Sequence, residues 1–449
     1  MKSYTQLARH EGNETLFEVV EMAVISMLWD VPLHLHAEGL RGTGKTTIMR
    51  AAKQIMPPMV RIKNCLYNCD PARPHCPNHR HLTPEEIAAI GSETVPRPFL
   101  EISHSAKIGT IAGSIDLAKI TNAANPTAAI LPGIIPQAHR GVIFIDEINR
   151  LADTSPEITD VLLDVMGTKP GRVQIEETGL PVVEIPVQAS VWAASNPDEE
   201  PGPLQEIRRQ LSDRFDLVVE MGRSDNPDEI VDILLMSELR RQGREDKTTS
   251  NDAAQHVKKQ QELERIARKY ENLTMPDFLR NFIARLYVKH DLESFRAIEA
   301  IQHSALLNCA LREREQVLIA DIFKVIPLAL KHRVDYETLT KIMNSSDRQG
   351  GDGTGTINFS SQQKKKEPGT SSSGYEQADE AYVNAYAAVE PDSTQGGKSL
   401  FSPLKNFFSG KSEKQPQHDD PVKASPLTKA KRLPDLNLDE LVKSEGDLK

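Results

Sequence analysis

Apolar side chains alternate between helical and strand-like spacing over the N-terminal half of the chain. Residues 14–29, ETLFEVVEMAVISMLW, have apolar positions at helical spacing, and VPLHLH at 31–36 predicts a short strand. The apolar runs RGVIFIDEI at 140–148 and ASVWAASNP at 189–197 predict two buried strands, and GRVQIEETGLPVVEIP at 171–186 predicts a β-hairpin. Strands that alternate with helices predict an α/β fold, in which a parallel sheet is covered by helices on both faces.

The C-terminal half of the chain has a different pattern. Strand patterns stop at about Asn226, and the segments that follow have helical periodicity to near Leu339. After residue 344 the composition changes to Ser, Gly, Gln, Lys and Pro with few aliphatic residues, which predicts a mostly disordered tail. The predicted organisation is an α/β domain over 1–222 with a Cys/His-bearing insertion at 64–82, an all-helical domain over 223–343, and the tail over 344–449.

Charge and hydropathy exclude several classes of protein. The 54 Lys and Arg residues are outnumbered by 64 Asp and Glu residues, for a net charge of -10, so a nucleic-acid partner is not expected. The longest apolar run, VVEMAVISMLW, is too short to span a membrane and contains Glu21. A secretory signal requires an apolar stretch after its charged N-terminal residues, and the sequence shows none there. We therefore expect a cytoplasmic protein.

A phosphate-binding motif lies in HLHAEGLRGTGKTTIMRAA, residues 34–52. The spacing Gly39-x-x-x-x-Gly44-Lys45-Thr46, between a predicted strand and a predicted helix, is typical of a loop that surrounds nucleotide phosphates with backbone N–H groups. Lys45 can reach the β- and γ-phosphates, and the Thr46 hydroxyl can bind Mg²⁺. The alternative is a chance glycine-rich turn. The predicted nucleotide-binding residues are Gly39, Gly42, Thr43, Gly44, Lys45, Thr46, Thr47 and, from the strand discussed next, Asp146.

Carboxylates follow the buried strand of residues 140–148. Asp146 at its exit is suited to hold Mg²⁺ together with Thr46, and Glu147 can polarise the attacking water. Asn196, at the end of a neighbouring strand, can orient the same water. The alternatives are that the carboxylates only cap the strand and that Asn196-Pro197 only begins a turn.

Arginines near the domain junction can neutralise charge on the γ-phosphate. EIRRQLSDRF supplies Arg208, Arg209 and Arg214, and ESFRAIEAI places Arg296 at the start of a helix in the second domain. A guanidinium remains charged and can donate to two phosphate oxygens at once. For each arginine the alternative is a surface salt bridge.

The order of these motifs resembles the ATPase subunit I of magnesium chelatase, in the MoxR/chelatase group of the AAA+ superfamily. The phosphate loop is followed by RGVIFIDEINRL, VQIEETGLPV, SNPDEE, RRQLSDRF and SFRA, and the resemblance covers roughly residues 12–340. It implies a P-loop AAA+ domain followed by a helical lid. By this resemblance, residues 39–46 are the Walker A motif, Asp146 and Glu147 are the Walker B motif, and Asn196 is sensor 1. Arg214 is the arginine finger, with Arg208 as a second candidate, and Arg296 is sensor 2.

The resemblance implies a function as well as a fold. Members of this group form rings, typically hexamers, and use ATP and Mg²⁺ at subunit interfaces to remodel a partner. We therefore expect a homo-oligomeric ATP hydrolase that acts on a larger metal-inserting or integrin-like-domain protein, such as a chelatase large subunit. The chain has no Asp-x-Ser-x-Ser motif, so metal handling is expected in other chains.

Two other functions fit parts of the sequence. A MoxR-like chaperone ATPase would help a metalloenzyme or a complex to mature. A non-hydrolysing, nucleotide-gated scaffold would recruit partners through the tail. The presence of Lys45, Asp146, Glu147 and Arg214 favours hydrolysis over the scaffold.

The insertion contains a cluster of cysteines and histidines. NCLYNCDPARPHCPNHRHL presents Cys65, Cys69, Cys76 and His79 at spacings that suit a tetrahedral structural Zn²⁺, with His75 and His81 nearby. An Fe–S cluster would use four thiolates, but the fourth cysteine, Cys309, is far away in sequence. The third interpretation is a set of reduced cysteines without a metal.

Short apolar segments interrupt the polar tail. Such segments commonly bind partners and become ordered as they bind, and the alternative is disorder without a partner. The segments are YEQADEAYVNAYAAVE, with Tyr375, Tyr382, Tyr386 and Val389 on one helical face, SLFSPLKNFFSG and LPDLNLDELV.

Overall fold

A computed structural model describes residues 3–115, 130–167, 170–175, 182–224, 226–241 and 249–350. The predicted tail segments lie outside these residues, as does the predicted hairpin turn at 176–181. The strands are β1 Leu35–Gly39, β2 Met59–Ile62, β3 Ser92–Val95, β4 Phe99–Ile102, β5 Gly113–Ile115, β6 Ile130–Pro132, β7 Val142–Ile145, β8 Gly171–Ile175, β9 Val183–Val187, β10 Ser190–Ser195 and β11 Leu217–Met221.

A five-stranded sheet in the order β11-β1-β10-β7-β4 forms the centre of the first domain, and every strand pair in it is parallel. All residues of β1, β7 and β10 are buried, because helices cover both faces of a parallel sheet. The predicted α/β fold is therefore confirmed. The strand predicted at 31–36 is displaced along the chain to Leu35–Gly39, because the backbone pairs with β10 only from Leu35 onward.

The helices of the first domain are α1 Glu14–Leu28, α2 Lys45–Ala51, α3 Pro84–Ile90, α4 Ile108–Ala112, α5 Ile134–Gln137, α6 Ile148–Thr154, α7 Pro156–Val165, α8 Leu204–Ile207 and α9 Arg209–Ser212. Outside the central sheet, β2 pairs with β3, β5 with β6, and β8 with β9, all antiparallel. The β8–β9 pair confirms the two strands of the predicted hairpin, and its residues alternate between buried and exposed along each strand.

The second domain is helical, as predicted. Its helices are α10 Pro227–Arg241, α11 Thr249–Tyr270, α12 Asp277–Lys289, α13 Phe295–Leu311, α14 Ile319–Leu330 and α15 Tyr336–Gly350. Helical structure therefore continues beyond Leu339, the predicted end. The reason is that Leu339, Ile342 and Met343 are buried at helical spacing along α15. Among the described residues, no helix combines the length and apolar character that crossing a bilayer requires.

Polar contacts join the helical domain to α1. The Trp29 indole nitrogen, directly after α1, donates to the Ala267 carbonyl at 2.9 Å. Ser26 Oγ lies 2.8 Å from His303 Nε2, and Lys259 Nζ lies 3.0 Å from the Glu21 carboxylate. The helical domain thus packs on α1.

Arg333, after α14, joins the helical domain to the segment before β11. Its guanidinium nitrogens donate to Asp213 Oδ1 at 3.0 Å, to the Asp213 carbonyl at 2.7 Å and to the Phe215 carbonyl at 2.8 Å. The side chain is 5% exposed, and burial lowers the pKa of Arg333 while Asp213 opposes that shift. A buried cation therefore fixes the backbone on both sides of Arg214.

We predict that Arg333→Gln lowers the free energy of unfolding by about 2–4 kcal/mol, because it leaves buried carbonyls and a carboxylate without their donor. Urea unfolding measures the change. Arg265→Gln is the control, because Arg265 forms an exposed ion pair with Glu313, and it should leave the unfolding midpoint unchanged. Equal midpoints for both variants would contradict the structural role of Arg333.

Candidate nucleotide site

The phosphate loop connects β1 to α2, and its glycines have backbone angles that other residues rarely adopt. Gly39, Gly42 and Gly44 have φ values of +142°, +78° and +91°. A Cβ atom on Gly39 would lie 2.6 Å from the Met221 carbonyl oxygen of β11, whereas Gly42 and Gly44 face open space. Gly39 is therefore required by close packing, and the other two by the conformation of the loop.

The Lys45 ammonium lies over this loop. It donates to the Gly39 carbonyl at 2.6 Å, to the Leu40 carbonyl at 2.8 Å and to Asn196 Oδ1 at 2.9 Å. Burial lowers the pKa of Lys45, and the charges of Asp146 and Glu199 oppose that shift. The structure therefore brings the predicted lysine and the predicted asparagine into direct contact, although they are far apart in sequence.

Thr46 and Asp146 form the second contact of the site. Thr46 Oγ1 donates to Asp146 Oδ1 at 3.0 Å, and Arg50 approaches the other carboxylate oxygen at 3.4 Å. A hydroxyl and a carboxylate are the oxygen ligands that Mg²⁺ prefers, with phosphates and water completing its shell. The donor set therefore fits the predicted magnesium ion.

Glu147 lies beside Asp146 but has different neighbours. Its φ of +50° is unusual for a residue other than glycine and turns the chain from β7 into α6. Arg150 donates to its carboxylate at 2.7 Å, and His104 Nε2 lies 3.8 Å away. The carboxylate is partly exposed, so solvent water can reach it.

Several residues around the site were not predicted. Arg41 of the phosphate loop forms an ion pair with Glu199, and these two side chains line a cavity of about 430 Å³ together with Arg150 and Glu200. Asn149 donates to the Gly202 carbonyl at 3.1 Å, which steadies the loop after Asn196. The position of Arg41 inside the phosphate motif could have predicted that it lies near the nucleotide. No pattern in the sequence predicts the same for Glu199.

The predicted arginines lie in a different place. Arg214 and Arg296 line one cavity of about 570 Å³, together with residues of α7, β8 and β9, and none of its lining residues belongs to the phosphate loop. Arg296 Nη2 donates to the Gly167 carbonyl at 2.7 Å. Arg209 forms an exposed ion pair with Glu293 at 3.0 Å, and Arg208 lies 3.9 Å from Asp160. The predicted arginine finger, Arg214, and the predicted sensor 2, Arg296, thus line the same cavity, and Lys45 is not among the residues that line it.

The cysteine and histidine cluster forms at the other edge of the sheet. Ligand atoms of Cys65, Cys69, Cys76 and His79 all lie within 4.8 Å of one another. The cluster is part of the segment after β2 and contacts the residues before β7, whereas the phosphate loop meets the end of β7. It therefore lies away from the candidate nucleotide site.

Comparison with known proteins identifies the broad class. The AAA lid domain family matches residues 280–349. The chain is 29% identical to the magnesium-chelatase 38 kDa subunit of Acidiphilium rubrum, over 68% of this chain and 84% of that protein. It is 28% identical to the magnesium-chelatase subunit ChlI of Euglena gracilis, over the same shares of the two chains. The chain is therefore an ATP hydrolase similar to subunit I of magnesium chelatase, and its residues 280–349 match the AAA lid domain.

Two solved structures also match the chain. One is the complex of subunits BchI and BchD of magnesium chelatase, with 21% identity, a TM-score of 0.39, and coverage of 76% of this chain and 98% of that chain. The other is the crystal structure of a protein from Cytophaga hutchinsonii, with 17% identity, a TM-score of 0.45, and coverage of 75% of this chain and 89% of that chain.

We expect Lys45→Ala to raise the Kd for a fluorescent ATP analogue by about 10–100-fold, the effect of losing a charged hydrogen bond to phosphate. Fluorescence titration in the presence of Mg²⁺ gives the Kd. Lys53→Ala is the matched control, because Lys53 is exposed just beyond α2, and it should bind like the wild-type chain. Unchanged affinity of Lys45→Ala would place the nucleotide elsewhere.

Proposed function

We propose that this AAA+ ATPase binds ATP with Mg²⁺ at the phosphate loop of one subunit and hydrolyses it with arginines supplied by the next subunit of a ring. The observation that carries the proposal is the separation of the site residues into two groups. Lys45, Thr46, Asp146 and Asn196 converge at the phosphate loop, while Arg214 and Arg296 share a different cavity. A second copy of the chain can bring such a cavity to the phosphate loop of the first, because head-to-tail contacts join different surfaces.

Within one subunit the proposed roles follow from chemistry. Lys45 would bind the β- and γ-phosphates, and Thr46 and Asp146 would hold the Mg²⁺ that neutralises charge on those phosphates. Glu147 would accept a proton from the attacking water, and Asn196 would orient that water. Arg150, which donates to Glu147, would hold the carboxylate in place.

Arg214 and Arg296 would complete the site from the neighbouring subunit. Guanidinium groups stay charged and can donate to two oxygens of the γ-phosphoryl group as its charge develops. Arg214 is positioned by the buried contacts of Arg333 with Asp213 and Phe215. Arg296 begins α13, so the helical domain would take part in the same interface.

The same contacts suggest how hydrolysis would move the helical domain. Lys331 Nζ, directly after α14, lies 3.2 Å from the Glu38 carboxylate in β1 and 2.9 Å from Glu220 in β11. The end of α14 thus contacts both the strand that leads into the phosphate loop and the segment that carries Arg214. A change at either place would be transmitted to the helical domain through these charged contacts.

We extend the proposal to the partner and the assembly. The curated relatives are magnesium-chelatase subunits, and a ring, expected to be a hexamer, would deliver the conformational change to a larger metal-inserting or integrin-like-domain protein in the cytoplasm. The nucleotide-binding domain would span 1–222 and the lid 223–343, with the tail 344–449 available for partner binding. The cysteine cluster would take no part in hydrolysis, because it lies at the other edge of the sheet.

Mixing two inactive variants tests whether the site is shared. A Lys45→Ala subunit keeps its arginines but lacks the phosphate-loop lysine. An Arg214→Ala subunit keeps Lys45 but lacks the proposed arginine finger. We expect each variant alone to be inactive and the equimolar mixture to recover about a quarter of the wild-type rate per chain, because one interface in four combines two intact halves. Phosphate release measures the rate. Recovery to no more than the sum of the separate variants would contradict a shared site.

A trapped ATP-bound form tests the partner. Glu147→Gln should bind ATP without hydrolysing it and so retain partners that bind the ATP state. We expect an integrin-like-domain protein or a chelatase large subunit to be captured by Glu147→Gln and not by Lys45→Ala, as read by mass spectrometry. Capture of an unrelated enzyme by the trap alone would leave the ATPase assignment in place and replace the proposed partner.

A further inference from the structure

Four metal-ligating side chains converge in the segment that follows β2. We propose that Cys65, Cys69, Cys76 and His79 hold one structural Zn²⁺. Their ligand atoms lie within 4.8 Å of one another, and Cys76 Sγ is 3.1 Å from His79 Nδ1. The three thiols are buried and none of them forms a disulfide. Tetrahedral zinc with ligands at about 2.0–2.3 Å requires this kind of convergence.

The local backbone produces the convergence. Asn64 and Asn68, which directly precede Cys65 and Cys69, have φ values of +58° and +53°, a conformation that asparagine adopts more readily than most residues. A turn between Cys76 and His79 is closed by a hydrogen bond of 3.1 Å from the His79 N–H to the Cys76 carbonyl. The two halves of the ligand set are therefore each held by a tight turn.

Backbone donors also point at the cluster. The N–H groups of His75 and Cys76 donate to Cys69 Sγ at 3.4 and 3.3 Å. Hydrogen bonds to sulfur stabilise a thiolate, the form in which cysteine binds a metal. Around a zinc ion with three thiolates, which carries a net negative charge, such donors are favourable.

The composition of the cluster favours zinc over an iron–sulfur centre. Three thiolates and an imidazole form a closed zinc site, whereas Fe–S clusters are usually held by four thiolates. The remaining cysteine, Cys309, belongs to α13, where its thiol donates to the Gln316 carbonyl at 3.2 Å. His75 Nδ1 lies 3.2 Å from Cys69 Sγ, but it is His79 that joins all three thiols in the group whose ligand atoms lie within 4.8 Å of one another. His79 is therefore the better fourth ligand.

The position of the cluster indicates what the zinc does. We name residues 65–79 the knuckle. Asn68 Nδ2 donates to the Gln137 carbonyl at 2.6 Å, and Tyr67 donates to the Ile130 carbonyl at 3.4 Å. His75 also stacks on His139. Together these contacts pack the knuckle against the residues that precede β7. The zinc would therefore stabilise the start of β7, whose other end carries Asp146 and Glu147.

Metal analysis of the full-length chain, purified without chelators, tests the site. We expect about one zinc per chain, and after exchange with Co²⁺ the visible absorption bands of a tetrahedral cobalt–thiolate centre. Cys69→Ser and Cys76→Ser should lose the metal, while Cys309→Ser, a matched change of a buried cysteine outside the cluster, should retain it. His79→Ala should weaken zinc binding at least about tenfold in competition with a chelator, and His75→Ala should weaken it less.

A stability measurement on the wild-type chain does not depend on whether the variants fold. Removing the metal with a chelator should lower Tm by about 5–10 °C, and adding zinc should restore it. The proposal is overturned if the chain takes up neither zinc nor cobalt, if it contains iron with the visible absorption of an Fe–S cluster, or if Cys309→Ser loses the metal as Cys69→Ser does.

Discussion

Parallel pairing of β1, β10 and β7 is the constraint on which the rest of the molecule depends. The register aligns Glu38 with Ser195, and Ala193 with Ile145, so the three strands end within about two residues of one another at one edge of the sheet. The residues that follow the three strands leave the sheet at that edge. The sheet therefore brings the phosphate loop into contact with Asn196 and Asp146, although no local sequence signal links them. The buried apolar strands supply the stabilisation, and the site occupies the polar ends that they leave.

The two ends of β7 lie at two different candidate sites. Its C-terminal end carries the carboxylates of the nucleotide site, and the residues before it receive the contacts of the knuckle. The helical domain acts on the neighbouring strands, since Lys331 contacts β1 and β11 and Arg333 holds the backbone around Arg214. A small number of charged contacts thus connects the phosphate loop, the arginines and the helical domain. The proposed zinc would stabilise the residues that precede β7.

The parts of the structure that have strong local patterns could be predicted from the sequence. The helix at 14–28, the buried strands at 142–145 and 190–195 and the phosphate loop are where their apolar spacing and glycines predicted them. Neither β4 nor β11 is among the predicted strands. Each is only four or five residues long, and its place in the sheet depends on parallel pairing with β7 or β1. The meeting of Arg214 with Arg296 and the pairing of Arg41 with Glu199 depend on tertiary packing, so no spacing along the chain could predict them.

The central claim is that a site is complete only between two subunits. The most direct test is to measure how the rate of ATP hydrolysis depends on protein concentration. The rate per chain at saturating ATP and Mg²⁺ should be measured across the range in which light scattering shows assembly. The rate per chain should be near zero for the monomer and should rise as the ring forms. A rate per chain that stays constant from monomer to assembly would contradict the claim, because each subunit would then contain a complete site.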